Sequence, residues 1–150
     1  MFKRLALIAC LSAGPVAADA IPAGFNDDGI PWRDLASGLE AAKTENKRIF
    51  LVVHTTWCGV CTAYKKRFFS PLVEEATEDV IFVLIDQDAE PDAAALYAPD
   101  GFYIPRTMIL DPDGQIIEAL QPLDPPYRYY VKAGNWYTFT RLLLHARQPS

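Results

Sequence analysis

The apolar run Ile49-Phe50-Leu51-Val52-Val53 leads through His54-Thr55-Thr56 straight into Trp57-Cys58-Gly59-Val60-Cys61. This succession constrains the fold more than any other stretch. Five β-rich residues bounded by polar ones are too short for a helix of their own and read as a strand buried on both faces, hence a central strand. Thr62 to Phe69 has helical composition, with Lys65, Lys66 and Arg67 expected on the solvent side, so the cysteine pair opens a helix. Ser70-Pro71 interrupts it, Leu72 to Thr77 resumes it, and Val80 to Ile85 is a second buried strand. Strand, helix, strand is a parallel crossover unit and predicts an α/β domain.

The flanking segments fit around that unit. Ile21 to Trp32 is rich in turn residues, and Asp34 is placed to cap a helix carrying Leu35, Leu39 and Ala42 on one stripe, ended by Lys43 to Lys47. Asp86 to Gly101 is acidic and holds Pro91 and Pro99, so it reads mostly as loop, with one helical turn over Ala93 to Tyr97. Arg106 to Leu110 and Gln115 to Leu120 flank Asp111-Pro112-Asp113-Gly114 and predict the two arms of a hairpin, which makes the sheet mixed. Pro122, Pro125 and Pro126 lead out of the sheet, and Trp136, Phe139, Leu143 and Ala146 recur at helical spacing to form a closing amphipathic helix. The chain has no internal repeat and no low-complexity tract.

Residues 1–20 read as an export signal: Lys3 and Arg4, an apolar stretch from Leu5 to Pro15, and Ala18-Asp19-Ala20 around a cleavage point. Domain 21–150 would then begin at Ile21. A lipoprotein box ending at Cys10 is the weaker reading, because the apolar stretch before it is short and continues past it. No later segment approaches the ~18 apolar residues of a membrane span, so no stable membrane anchor is expected after cleavage. About 130 residues suit one domain. The full chain carries a formal charge of −5 and becomes more acidic once Lys3, Arg4 and Asp19 leave, which argues against nucleic acid as a partner.

Of three cysteines, Cys10 lies in the leader, so Cys58 and Cys61 are the pair left in a compartment where disulfides persist. A thiolate attacks a disulfide, and the free N–H groups of a helix N-terminus favour the thiolate of Cys58. Cys61, nearly one turn further, sits within bonding range as the resolving thiol. The alternatives are an inert bridge or half of a zinc site. Zinc would need two more ligands, and the mature chain offers only His54 and His145, so no metal is expected. His54 reads as a packed residue at the strand end, and His145 as a surface or edge residue without a role. Trp57 reads both as a wall beside Cys58 and as core. Ile104-Pro105 before a strand is where a cis bond can turn the chain, a weak signal by itself.

Trp57-Cys58-Gly59-Val60-Cys61 together with Ile104-Pro105 before a hairpin resembles the thioredoxin superfamily over nearly all of the mature chain. More narrowly, Trp32-Arg33, the run Val53 to Cys61, and Pro99 to Arg106 followed by Asp111-Pro112 resemble the small single-domain thioredoxins of the endoplasmic reticulum and their anterior gradient relatives. The resemblance implies a thioredoxin-like fold: a central mixed β-sheet flanked by helices. It also implies Cys58 as exposed nucleophile, Cys61 as buried partner, Pro105 as a cis-proline, and a substrate surface of Trp57, Gly59, Val60, Ile104 and Pro105. The backbone of Ile104 would pair with an extended client segment like an added strand. Three departures stand out. Val52 occupies the position of the buried acid of many thioredoxins, Thr62 that of a frequent lysine, and the end His145 to Ser150 lacks the reticulum retention tetrapeptide, which favours a bacterial periplasm.

The expected activity is thiol-disulfide exchange on exported, cysteine-containing proteins, without a cofactor and served by a redox partner protein such as a membrane thiol carrier. Gly59-Val60 leaves reductase, oxidase and isomerase open. The rival reading is a non-catalytic client-binding module or chaperone on the same scaffold. A copper carrier is a third, disfavoured by the two-residue spacing of the cysteines.

Overall fold

The computed structural model describes residues 24–122 and 126–149. The export signal at 1–20 with Cys10, the start at Ile21, and Pro125 lie outside the described residues. Along the chain run α1 (Leu35–Glu45), β1 (Ile49–His54), α2 (Gly59–Lys65), a 3-10 turn (Lys66–Phe69), α3 (Pro71–Ala76), β2 (Ile81–Asp86), α4 (Pro91–Leu96), β3 (Arg106–Leu110) and α5 (Trp136–Ala146).

The strands order β2-β1-β3. All six residues of β1 are buried, as a central strand requires. β1 pairs parallel with β2 from Ile49 opposite Ile81 to His54 opposite Asp86, and antiparallel with β3 from Ile49 opposite Leu110 to Val53 opposite Arg106. Because side chains alternate along a strand, Phe50 and Val52 enter one core with Trp32, Tyr64, Phe68, Phe82 and Phe139, beneath α2, α3 and α5. Leu51 and Val53 enter the other with Val83, Ile85, Met108 and Tyr97, beneath α1 and α4. The result is the expected mixed sheet flanked by helices.

Local chemistry sets the ends of these elements. Asp34 caps α1 by accepting from the Ser37 N–H at 2.8 Å, and Asn46 closes it in the left-handed conformation. Gly38 lets α1 press onto β2: a Cβ there would meet Val83 Cγ2 at 2.2 Å. Gly114, at φ +84°, completes the turn after Asp111.

Four expectations need correction. The second hairpin arm forms no continuous strand: Ile116 bridges Leu110 and the Ile117 N–H donates to the Ile109 carbonyl, but the chain turns away there, the Ile117 carbonyl accepting from Leu120. The Thr107 N–H donates to Tyr129 instead, so a later segment takes over the outer side of β3. The turn expected at Ala93 to Tyr97 starts earlier, because Pro91 suits the first helical position. The helix expected over Thr62 to Phe69 starts at Gly59 and tightens to 3-10 from Lys66, which swings Arg67 inward. Arg67 is buried rather than solvent-facing, and its guanidinium donates to the carbonyls of Lys132, Ala133 and Asn135 and lies 4.6 Å from the Trp136 ring. That bond set anchors the loop before α5.

Candidate active site

Parallel pairing brings the C-terminal ends of β1 and β2 to one edge, and antiparallel pairing brings the start of β3 to the same edge. The residues leaving β1 there are Thr55 to Cys58. Those leaving β2 are Gln87 and Asp88, and Ile104-Pro105 immediately precedes β3. The register alone gathers the three loops that carry the sequence-derived candidates.

Cys58 is the N-cap of α2, extended at φ −74° and ψ 111°, and its sulfur accepts from the Cys61 N–H at 3.2 Å. An N-cap acceptor satisfies one of the free donors of the first turn, and a sulfur there is held in the field of the helix terminus. Cys58 is more enclosed than an exposed nucleophile, with 7% of its surface accessible, because the capping bond folds the sulfur back over the turn. Cys61 is fully enclosed at 0%. Both are free thiols. Burial, foremost, and the hydrogen bond shared with Cys58 push the Cys61 thiol up from 9.0 to about 12, with the Thr55 backbone acting the other way. The inner thiol is therefore protonated at neutral pH and must give up its proton to react.

Trp57 is 71% exposed, so it is wall and not core. It follows the end of β1 in the turn outside the sheet, and the core position is filled by Trp32, whose indole N–H donates to the Phe25 carbonyl at 3.0 Å. The Trp57 indole N–H donates to Asp88 Oδ2 at 2.6 Å, which fixes the ring beside the cysteine pair. Gly59 is open, with no atom within 4 Å of an added Cβ, and Val60 is exposed.

The Ile104–Pro105 bond is cis. Pro105 is buried and Ile104 half-buried. The backbone N–H and C=O of Ile104 take no hydrogen-bond partner among the described residues. Arg106, fully buried, ties this loop down by donating to the carbonyls of Tyr97 (2.9 Å), Ala94 (3.0 Å) and Tyr103 (2.8 Å) and to Gln87 Oε1 (2.8 Å).

His54 is packed as expected, 1% exposed with its ring edge-on to Phe25 at 5.0 Å. His145 is half-exposed on α5, and its carbonyl accepts from Arg48. Among the described residues no group of three or more His, Cys, Asp or Glu is arranged to hold a metal. Sequence reasoning missed Asp88, Gln87 and Arg106. The first two follow β2 directly, so the parallel pairing of β1 and β2 was the signal that placed them near Trp57. Arg106 reads as an ordinary strand residue until its four acceptors are seen.

A buried central strand that delivers a cysteine pair to the first turn of a helix, beside a proline loop opening an antiparallel strand, defines the thioredoxin-like class of α/β proteins. The family model described as thioredoxin-like matches residues 31–112, and the chain belongs to that family. Among curated relatives, anterior gradient protein 3 of Xenopus tropicalis is 32% identical over 97 residues, covering 64% of this chain and 58% of the relative. Anterior gradient protein 3 of Mus musculus is 35% identical over 92 residues, covering 59% and 53%. This chain thus spans little more than half the length of those relatives. A solved structure of a disulphide isomerase from Xylella fastidiosa Temecula1 superposes with a TM-score of 0.46 at 25% identity, covering 54% of this chain and 66% of that one.

Proposed function

We propose that the protein is a thiol-disulfide oxidoreductase acting on exported proteins through Cys58 and Cys61. One observation carries the reading: the Cys58 sulfur caps α2 at the only accessible point of the pair, while Cys61 sits fully enclosed one turn below with its N–H on that sulfur. Reading the cycle in the reducing direction, the Cys58 thiolate attacks a client disulfide and forms a mixed disulfide as one client sulfur leaves as thiolate. Cys61 then loses its proton and attacks the Cys58 sulfur. The second client sulfur leaves, so the client gains two electrons and the pair becomes a disulfide. The reverse path donates that disulfide. A redox partner, such as a membrane thiol carrier, resets the pair.

Trp57, Gly59, Val60, Ile104 and Pro105 form the client surface in this reading. Exposed Trp57 and Val60 offer apolar contact, open Gly59 admits a chain close to Cys58, and the free backbone of Ile104 pairs with an extended client segment. An export signal at 1–20 would place the protein in the periplasm or outside the cell.

Equilibrating the purified protein with glutathione buffers and counting thiols tests the reading. A potential near ~ −270 mV marks a reductant and one near ~ −120 mV a disulfide donor. A pair that never titrates reversibly rules out redox cycling and leaves a client-binding module.

A further inference from the structure

At the end of β1, in the stretch that leads into the cysteine pair, three neighbouring polar atoms are buried without a hydrogen-bond partner among the described residues: Nδ1 and Nε2 of His54 and Oγ1 of Thr55. Buried polar groups are almost always paired, since an unpaired one loses hydration for nothing in return. A concentration of them at one point of the fold calls for a function.

Strand alternation sets His54 on the same face of β1 as Phe50 and Val52, the face covered by α2. On α2, Cys61 and Lys65 are four residues apart and share one side of the helix. Lys65 Nζ lies 5.0 Å from the Phe25 ring centre, and that ring lies 5.0 Å from the His54 ring. The Thr55 backbone is a neighbour common to the His54 ring and the Cys61 thiol, and the Lys65 charge acts on both. The imidazole therefore lies on the face of β1 that α2 covers and has the Thr55 backbone as a neighbour in common with the inner thiol.

The groups around it determine its protonation. Burial, the largest influence, holds His54 below its ordinary 6.5, and Lys65 on α2 adds to that. Asp86, opposite on β2, and the Thr55 backbone pull the other way without prevailing. The Phe25 ring from the N-terminal segment contributes no charge. At neutral pH the ring is a neutral base with a free lone pair. The helix that covers this face carries the buried Cys61 thiol, which must be deprotonated, and Val52 supplies no acid-base group there.

We propose that His54 is the proton acceptor for Cys61 in the resolving step of thiol-disulfide exchange. The proposal rests on the redox reading above. The Cys61 proton passes to an imidazole nitrogen, directly or through one water, as the Cys61 sulfur bonds to the Cys58 sulfur. The bond between Cys58 and the client sulfur breaks, and the client leaves as thiolate. The imidazolium, disfavoured in its buried site, then returns the proton to the departing thiolate or to solvent.

The test separates the two half-reactions. Reaction of glutathione disulfide with Cys58 is followed in a Cys61→Ser background, and Cys61-dependent release of glutathione from the Cys58 adduct is followed across a pH series. His54→Phe preserves the ring packing on Phe25 and removes the base. Release is expected to slow by about 100-fold near neutral pH and to track hydroxide instead of levelling off, while adduct formation stays within about twofold. Equal release rates with the same pH profile overturn the proposal alone. A wild-type protein that never forms or never resolves the adduct overturns the redox reading and the proposal together. Should His54→Phe fail to fold, the imidazole of the otherwise unaltered chain is titrated by NMR with Cys61 present and replaced by Ala. A midpoint that moves by about half a pH unit supports the proposal, and an unmoved one overturns it.

Discussion

The Cys58 sulfur keeps an opening to solvent and the Cys61 sulfur has none, because one caps α2 from outside and the other faces the sheet a turn further in. In the proposed exchange cycle the two thiols would thus take different parts. Cys61→Ser is expected to trap a covalent adduct between Cys58 and a client or glutathione, seen by mass spectrometry, while Cys58→Ser captures nothing. A Cys58→Ser protein that still forms adducts through Cys61 would reverse the assignment. Beside them, Asp88 holds Trp57 by a single hydrogen bond on the open surface. Asp88→Ala should leave global stability within about 0.5 kcal/mol. It should free the indole and raise KM for a cysteine-containing peptide several-fold with kcat little changed. Unaltered KM would deny Trp57 its part in the client surface.

At the scale of elements, close approach is what holds α1 on β2. Gly38→Ala puts a methyl group into Val83 Cγ2, and with the helix already capped by Asp34 it has little freedom to withdraw. A loss of about 1–3 kcal/mol is expected from denaturant midpoints, most of it recovered when Val83→Ala is added. Additive losses would show that the clash is relieved elsewhere. Two loops are held differently, by buried guanidinium groups. Arg106 binds three carbonyls and Gln87 between α4 and the Ile104-Pro105 loop, and Arg67 binds three carbonyls before α5. Loop segments without a ladder of their own need such donors for buried carbonyls.

For the molecule as a whole, the burial of ionisable groups fixes how stability depends on pH. Burial raises Cys61 to about 12 and raises Tyr64, Tyr97, Tyr103 and Tyr129 above the ordinary 10.0. In alkali the unfolded chain releases these protons first, so the folded state binds more of them and stability falls as pH rises above about 9. His54 acts at the other end. Below 6.5 the unfolded chain takes up a proton that the folded chain resists, so stability falls as pH drops. Urea midpoints should therefore decline between about pH 8 and about pH 10.5, less steeply with Tyr64→Phe; a flat profile contradicts the burial of these groups.

How far the sequence reaches follows from the range of the forces involved. Local pattern determined both buried strands of the crossover, the Asp34-capped helix, the closing helix and the place of the cysteine pair between strand and helix, because period, capping and turn chemistry act within a few residues. Resemblance supplied the cis-proline, which a dipeptide alone does not reveal. Tertiary structure decided what depends on partners distant in the chain. Only Ile116 and Ile117 of the Gln115 to Leu120 arm stay along the end of β3, with Tyr129 taking its start, Arg67 turns inward onto carbonyls some 65 residues away, and Trp57 stays outside while Trp32 fills the core. The same holds for Asp88 on the Trp57 indole and for His54 buried against Phe25. A single side chain's pattern does not say which distant backbone group will offer it a bond, and that is settled only when the sheet brings its three strand ends to one edge.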